Sequence, residues 1–262
     1  RKRSDELGRG AGHHHADAAR AIAPLLTGEQ PVVFAANGVP WWYGANVALP
    51  GVTRENDPAL VALDPAGDLM KTVGVRRAVG CVVHSPNTIE APGVIVNKMA
   101  ASKFLLGAVD PERQTQVEPL IRAIEAAGLE ARPDAPIRTA IWRKLMYTMC
   151  MGPIASLTHL RNGQIRSDPE LIAMIERLSR EGVAIAAAHG IKVSSEIVVP
   201  ATGPIAEHKQ SMLQDVERGA KVEFLPIVGV PRAYAHAAGV PCPILDSVAT
   251  LLKGKLAGAG LM

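Results

Sequence analysis

The segment IWRKLMYTMCMGPIASL, residues 141–157, sets a lysine beside a long apolar run that reaches Gly-Pro eight and nine residues later. Every fourth helical residue returns close to one face, so Lys144, Thr148 and Gly152 fall in line. Ile141, Leu145 and Met149 form a neighbouring apolar stripe, widened by Trp142 and Met146. Two readings of Lys144 are open. Its stem can lie along the stripe with the ammonium in water, or the ammonium can be held at a cleft rim, aimed at an anionic or carbonyl-bearing ligand. Other residues bear on the choice. AANGVP (35–40) follows a short apolar run, and a strand ending in Asn-Gly at the carboxyl edge of a parallel sheet is where such folds place ligand contacts; a plain turn explains Asn37 as well. Ser211 and Asp215 are four apart, as capping and solvation would have them. Glu223, between Val222 and Phe224, is a carboxylate in apolar company.

Two further motifs carry no chemistry. GRGAGHHH (8–15) lacks both a preceding apolar strand and the third glycine of a nucleotide loop, and reads as a flexible segment. His84, His159, His189, His208 and His236 show no ligand spacing, so no metal site is expected.

These residues need elements to carry them. Residues 1–12 have no apolar period and read as irregular. ADAARAIAPLL (16–26) is an amphipathic helix, and VVFAANG (32–38) a buried strand after the turn TGEQP, an order that fits one unit of an α/β sheet. The segments 73–85 and 93–110 are β-branched and separated by turn residues, which predicts a hairpin or meander. Residues 110–129 read as one helix with Asp110 as N-cap and Pro111 at its first position. Two prolines at 132–136 then interrupt the pattern. Beyond them the chain reads as helix at 136–151, 168–190, 205–219, 226–239 and 243–255.

A 262-residue chain with 48% hydrophobic and 20% charged residues can bury a sizeable core. A net charge of +3 and 3% aromatics offer neither a nucleic-acid footprint nor stacking platforms. No apolar run reaches the roughly 18 residues of a membrane span, and no secretory signal is legible. The cysteines Cys81, Cys150 and Cys242 are odd in number and scattered, which suits a reducing cytoplasm.

NGVP (37–40), IWRKL (141–145), RNG (161–163) and SMLQDVERGAKVE (211–223) together resemble the ketopantoate reductase (2-dehydropantoate 2-reductase) family. Order and separation match from about residue 16 to the end. The resemblance implies an α/β fold: an incomplete Rossmann-like NADPH-binding domain over 1–134, then an all-helical substrate and dimerisation domain over 135–262, with the active site between them. It makes Lys144 the catalytic lysine, which orients the 2-oxo group and donates a proton as hydride arrives from the nicotinamide; an ammonium beside a carbonyl oxygen stabilises developing alkoxide charge. It makes Asn37 a contact of both cofactor and substrate. Lys144, Thr148, Asn162 and Ser211 would bind substrate, and Glu223 would meet the nicotinamide-side ribose or position Lys144. The implied partners are a small 2-oxo acid and a second copy of the chain in a homodimer, with no metal, nucleic acid or membrane.

Two departures qualify the resemblance. Typical members carry asparagines where this chain has Thr148 and Gly152, and a polar substrate group left unpaired there costs about 1–3 kcal/mol. The family's glycine-rich strand–loop–helix has no counterpart before residue 16. An N-terminally incomplete chain with weak NADPH affinity is therefore expected. The alternatives are a non-catalytic helical dimerisation or ligand-binding remnant, favoured by the missing loop, and a hydroxy-acid dehydrogenase with another substrate, favoured by Thr148 and Gly152.

Overall fold

The computed structural model describes residues 15–85, 87–91, 93–97, 102–198 and 202–262. The irregular segment expected over 1–12 lies outside the described residues. The protein is α/β, with a small mixed sheet followed by a helical domain. Helix α1 (His15–Ile22) leads to strand β1 (Val32–Ala35), followed by a loop and the short helices α2 (Pro58–Leu63) and α3 (Asp68–Thr72). Strands β2 (Ala78–His84), β5 (Lys103–Ala108) and β6 (Glu130–Pro133) complete a sheet of order β1-β2-β5-β6. Strand β1 is parallel to β2, β5 is antiparallel to β2, and β6 is parallel to β5. The expected pairing of the segments 73–85 and 93–110 is the antiparallel contact of β2 with β5, and the stretch read as turn between them holds part of a separate two-stranded ribbon, β3 (Asn87–Ala91) with β4 (Val94–Asn97).

Strand β1 is not the buried strand expected, because it is the sheet's edge and leaves Val33 and Ala35 exposed, but β2 is covered on both faces. Leu69, Val73, Ala78, Val82 and Ile137 build the core on one face with Trp41 and Trp42. Val79, Cys81 and Leu106 meet Val117 and Ile121 of helix α4 (Val117–Ala126) on the other. This alternation along β2 is the period-2 signature of a strand sandwiched between layers. The single helix expected over 110–129 divides: Asp110 accepts from Glu112 N at 3.1 Å, the turn it caps is 3-10 over Pro111–Gln116, and α-helix begins only at Val117.

The helical part runs through α5 (Ile137–Thr158), α6 (Asn162–Ser167), α7 (Pro169–Ala188), α8 (Ser211–Glu217), a π-helical turn (Leu225–Gly229), α9 (Val230–Ala237) and α10 (Pro243–Gly258). Two boundaries differ most from the sequence reading, and α6 falls where no helix was read. Helix α5 does not stop at 151 but carries Pro153 inside it, with Ser156 Oγ donating to Gly152 O at 2.8 Å. The helix expected over 205–219 starts only at Ser211, where Gln210 is the N-cap. Val39, Tyr43, Leu49 and Ala59 pack into the helical core, so the loop after β1 belongs as much to that core as to the sheet. Among the described residues no helix is long and apolar enough to cross a membrane.

Candidate active site

Lys144 is placed by the way α5 lies on the sheet. Gly80 and Gly107 are cross-strand partners in β2 and β5. A Cβ on Gly80 would stand 2.8 Å from Ile137 Cγ1, and one on Gly107 would stand 2.8 Å from Ile137 Cβ and 2.5 Å from Asp134 O. Two missing side chains thus let the first turn of α5 rest on the strands. From Ile137 to Lys144 the helix rises about 10 Å, and from Gly80 to Val83 strand β2 advances about 10 Å. The equal strides bring the lysine level with the carboxyl end of β2, where Lys144 Nζ donates to Val83 O at 2.6 Å.

Asn37 arrives from the other side. It follows β1, at the carboxyl end of a parallel pair. Gly38 has φ +75, and a Cβ there would stand 2.4 Å from Pro226 O. Val39 N donates to that same oxygen at 2.8 Å. The carbonyl is available for a local reason: Val230 N–H donates to Leu225 O, and Pro231, next in the π-helical register, has no N–H to give. Glu223 stands just before this turn. Phe224 N donates to Val222 O at 2.7 Å, a γ-turn with Glu223 at its centre. Asn37 Nδ2 then donates to Glu223 Oε2 at 3.0 Å, linking residues 186 positions apart.

Asn37, Lys144 and Glu223 therefore share one cavity of about 230 Å³, lined also by Ala35, Ala36, Val83 and Ser85. Burial pulls the Lys144 ammonium below the ordinary lysine value of 10.5, and the Glu223 carboxylate holds it up against that pull, as Cys81 does to a lesser degree. Glu223 is only 8% exposed. An ammonium has three N–H donors, so the bond to Val83 leaves two. A cation held this way can hydrogen-bond a carbonyl oxygen and pass it a proton.

The other expected site residues stand differently. Thr148 turns its hydroxyl back on α5, donating to Lys144 O and Leu145 O at 3.3 Å each. Gly152 is buried against α8, with Met212 side-chain atoms 3.7 Å from where its Cβ would be. Asn162 is fully buried: its Nδ2 donates to Ile205 O at 2.9 Å and Tyr147 Oη at 3.2 Å, and its Oδ1 accepts from Gln210 Nε2 at 2.7 Å. Its amide is occupied within the protein, joining α5 and α6 to the start of α8. Ser211 is exposed at that start. None of these three polar side chains lines the cavity. Sequence reasoning passed over Ser85, which does line it and whose Oγ lies 2.7 Å from Ser102 Oγ; its position one residue past β2 was the available signal.

A buried polar cluster behind Lys144 was also unanticipated. Arg138 Nε donates to Tyr43 O at 2.7 Å, Trp142 Nε1 donates to Tyr43 Oη at 2.5 Å, and that hydroxyl lies 2.9 Å from His189 Nδ1. Burial pulls the His189 imidazole down to about 4, so it stands neutral beside that hydroxyl. Tyr234 donates to Asp57, which caps α2 through Ala59 N. The cluster pins the loop carrying Asn37 to the helix carrying Lys144.

Sequence and structure comparisons agree with this architecture. The 2-dehydropantoate 2-reductase of Mesorhizobium japonicum is 34% identical over 236 residues, covering 88% of this chain and 70% of that protein. The chain belongs to the 2-dehydropantoate 2-reductase family. The family model "Ketopantoate reductase PanE/ApbA C terminal" matches residues 136–256, from the foot of α5 into α10. A crystal structure from Ralstonia solanacearum MolK2, provisionally described as a ketopantoate reductase, is 28% identical with a TM-score of 0.80, covering 96% of this chain and 76% of that one. The same fold occurs at 17% identity in D-mandelate dehydrogenase, solved with NADH and anilino(oxo)acetate, with a TM-score of 0.75 over 94% of this chain and 74% of that one.

Proposed function

We propose that the protein reduces a 2-oxo acid to the 2-hydroxy acid with a nicotinamide dinucleotide, NADPH by preference. The observation that carries this reading is the meeting of Lys144, Asn37 and Glu223 in one cavity at the carboxyl ends of β1 and β2. Where such sheets bind nucleotides is at those ends. The donor set fits the nicotinamide half: a carboxamide and a carboxylate for ring and ribose, and an ammonium for the oxygen of the acceptor. When bound, the reduced nicotinamide supplies the hydride. Lys144 holds the 2-oxo oxygen, stabilises negative charge on it and delivers a proton. Glu223 keeps the desolvated lysine charged, and its bond to Asn37 fixes both partners.

Thr148 bonds to its own helix, and Met212 fills the space beside Gly152. No amide therefore awaits a polar substrate group at those places, which favours a hydroxy-acid dehydrogenase acting on a less polar acid than 2-dehydropantoate.

The test is consumption of NADPH or NADH with a panel of 2-oxo acids: 2-dehydropantoate, branched aliphatic and aromatic. Turnover that needs Lys144 supports the reading. A folded chain that binds the reduced nucleotide yet reduces no member of the panel overturns it.

A further inference from the structure

Helices α9 and α10 meet at the short segment 238–242, which contributes nothing to the lining of the Lys144 cavity. His236 stands in the last turn of α9, Cys242 is the N-cap of α10, and Asp246 lies four residues into that helix, on the same face as its cap. The imidazole nitrogen, the thiol sulfur and a carboxylate oxygen all lie within 4.8 Å of one another. Nothing in the proposed reduction uses them. We propose that His236, Cys242 and Asp246 bind a borderline-soft divalent cation of the zinc class, which staples α9 to α10.

The donor set is the first argument. Sulfur, imidazole nitrogen and carboxylate oxygen are the three protein donors zinc takes, at about 2.0–2.3 Å each. Donors bound at those lengths stand nearer together than 4.8 Å, so closure on an ion is a small inward movement of side chains. The arrangement of Asp246 is the second. Its Oδ1 takes both bonds present, from Arg232 Nε at 2.5 Å and with His236 Nε2 at 2.9 Å. Arg232 thus fixes the carboxylate through one oxygen, the outer-shell arrangement that orients ligating carboxylates.

Charge balance is the third. Binding releases the Cys242 proton to solvent, and His236 shifts through water from the tautomer that donates Nε2–H to Asp246 to the Nδ1–H tautomer, whose Nε2 lone pair then meets the ion. No oxidation state changes. Thiolate and carboxylate then neutralise a dipositive ion. The positive charge of Arg232 opposes the ion, and Glu181 offsets it: that carboxylate accepts from Ile244 N at 2.9 Å and Leu245 N at 2.8 Å, at the same helix start. The start of α10 also favours the thiolate form of its cap. Without an ion the thiol is inert, held up at about 11 chiefly by burial. His236 is exposed, so water reaches the fourth coordination position.

Cobalt(II), a spectroscopic stand-in for zinc, tests the site in the full chain. His13, His14 and His15 are first replaced by asparagine, since neighbouring histidines bind metal weakly on their own. One cobalt per chain should give a thiolate-to-cobalt charge-transfer band, displaced by zinc and abolished by Cys242→Ser. His236→Ala, at an exposed position that folding does not need, should weaken cobalt binding by more than about tenfold. Absence of the band from the parent chain overturns the proposal without recourse to any variant. So does a band that survives Cys242→Ser, which would place the ion on Cys81 or Cys150, or an affinity unchanged by His236→Ala.

Discussion

Replacing Gly38 by alanine probes how the two halves of the cavity are joined. The backbone there has φ +75, and the new Cβ would stand 2.4 Å from Pro226 O, 2.5 Å from Pro226 C and 2.8 Å from Pro226 Cβ. These atoms belong to a buried π-helical turn, so the turn or the loop must move. A left-handed residue with a side chain costs about 1–2 kcal/mol, relief of overpacking about 1–3 kcal/mol, and the hydrogen bond from Val39 N about 0.5–1.5 kcal/mol. The expected loss is about 2.5–6.5 kcal/mol, a large share of a domain's stability. Gly128→Ala isolates the conformational part, because Gly128 has φ +80 and nothing within 4 Å of its Cβ position; it should lose only about 1–2 kcal/mol. Urea melts of both variants measure the difference. Activity should fall further in Gly38→Ala than its folded fraction explains, since movement of the loop parts Asn37 from Glu223. Equal destabilisation by the two substitutions, with full activity in each, would refute the clamp.

The remaining predictions concern the lysine. Lys144→Met should lower kcat/KM by about 10²–10⁴-fold through loss of proton transfer. Its melting temperature at pH 7 should not fall, because the substitution relieves the burial of a charge. The sign of the pH effect follows from the same burial: between the depressed folded value and the ordinary 10.5, the unfolded chain holds a proton that the folded chain has released, so stability contributed by Lys144 rises with pH there, and Lys144→Met should flatten that rise in pH-dependent melts. Glu223→Gln removes the charge that holds the ammonium up, so the alkaline limb of kcat/KM should move to lower pH; an unmoved limb in steady-state profiles would mean that Lys144 does not supply the proton.

Much of the fold was legible because its elements obey simple periods. The short strand before Asn37, the apolar stripe of α5 and the Asp-Pro start of α7 all appear where sequence patterns place them. The failures have local causes. Pro153 suggests a helix end, but α5 lies in the middle of the helical core, and packing on all sides outweighs one lost hydrogen bond. Residues 205–210 carry helix-forming side chains, yet Asn162 and Gly163 take backbone partners from His208 and Ala206 there, and the helix waits until Ser211.

The cavity was legible by the types of residue in it and illegible in its assembly. Lysine, asparagine and glutamate among apolar neighbours are costly unless they are paired, and that cost draws attention to them in a bare sequence. What brings the three together is mostly the absence of atoms. Gly80 and Gly107 lack the side chains that would lift α5 off the sheet, Gly38 lacks the one that would part the loop from Pro226, and Pro231 lacks the N–H that would compete for the Pro226 carbonyl. A missing atom leaves no periodicity and no charge, and its effect is visible only once its neighbour across the fold is known. The same reasoning bears on Asn162: a buried asparagine must satisfy its amide somewhere, and here Gln210 and Ile205 do so within the protein. Ligand chemistry is thus readable from residues that are expensive to bury, while the geometry that makes them a site rests on glycines and a proline whose purpose only the packed structure reveals.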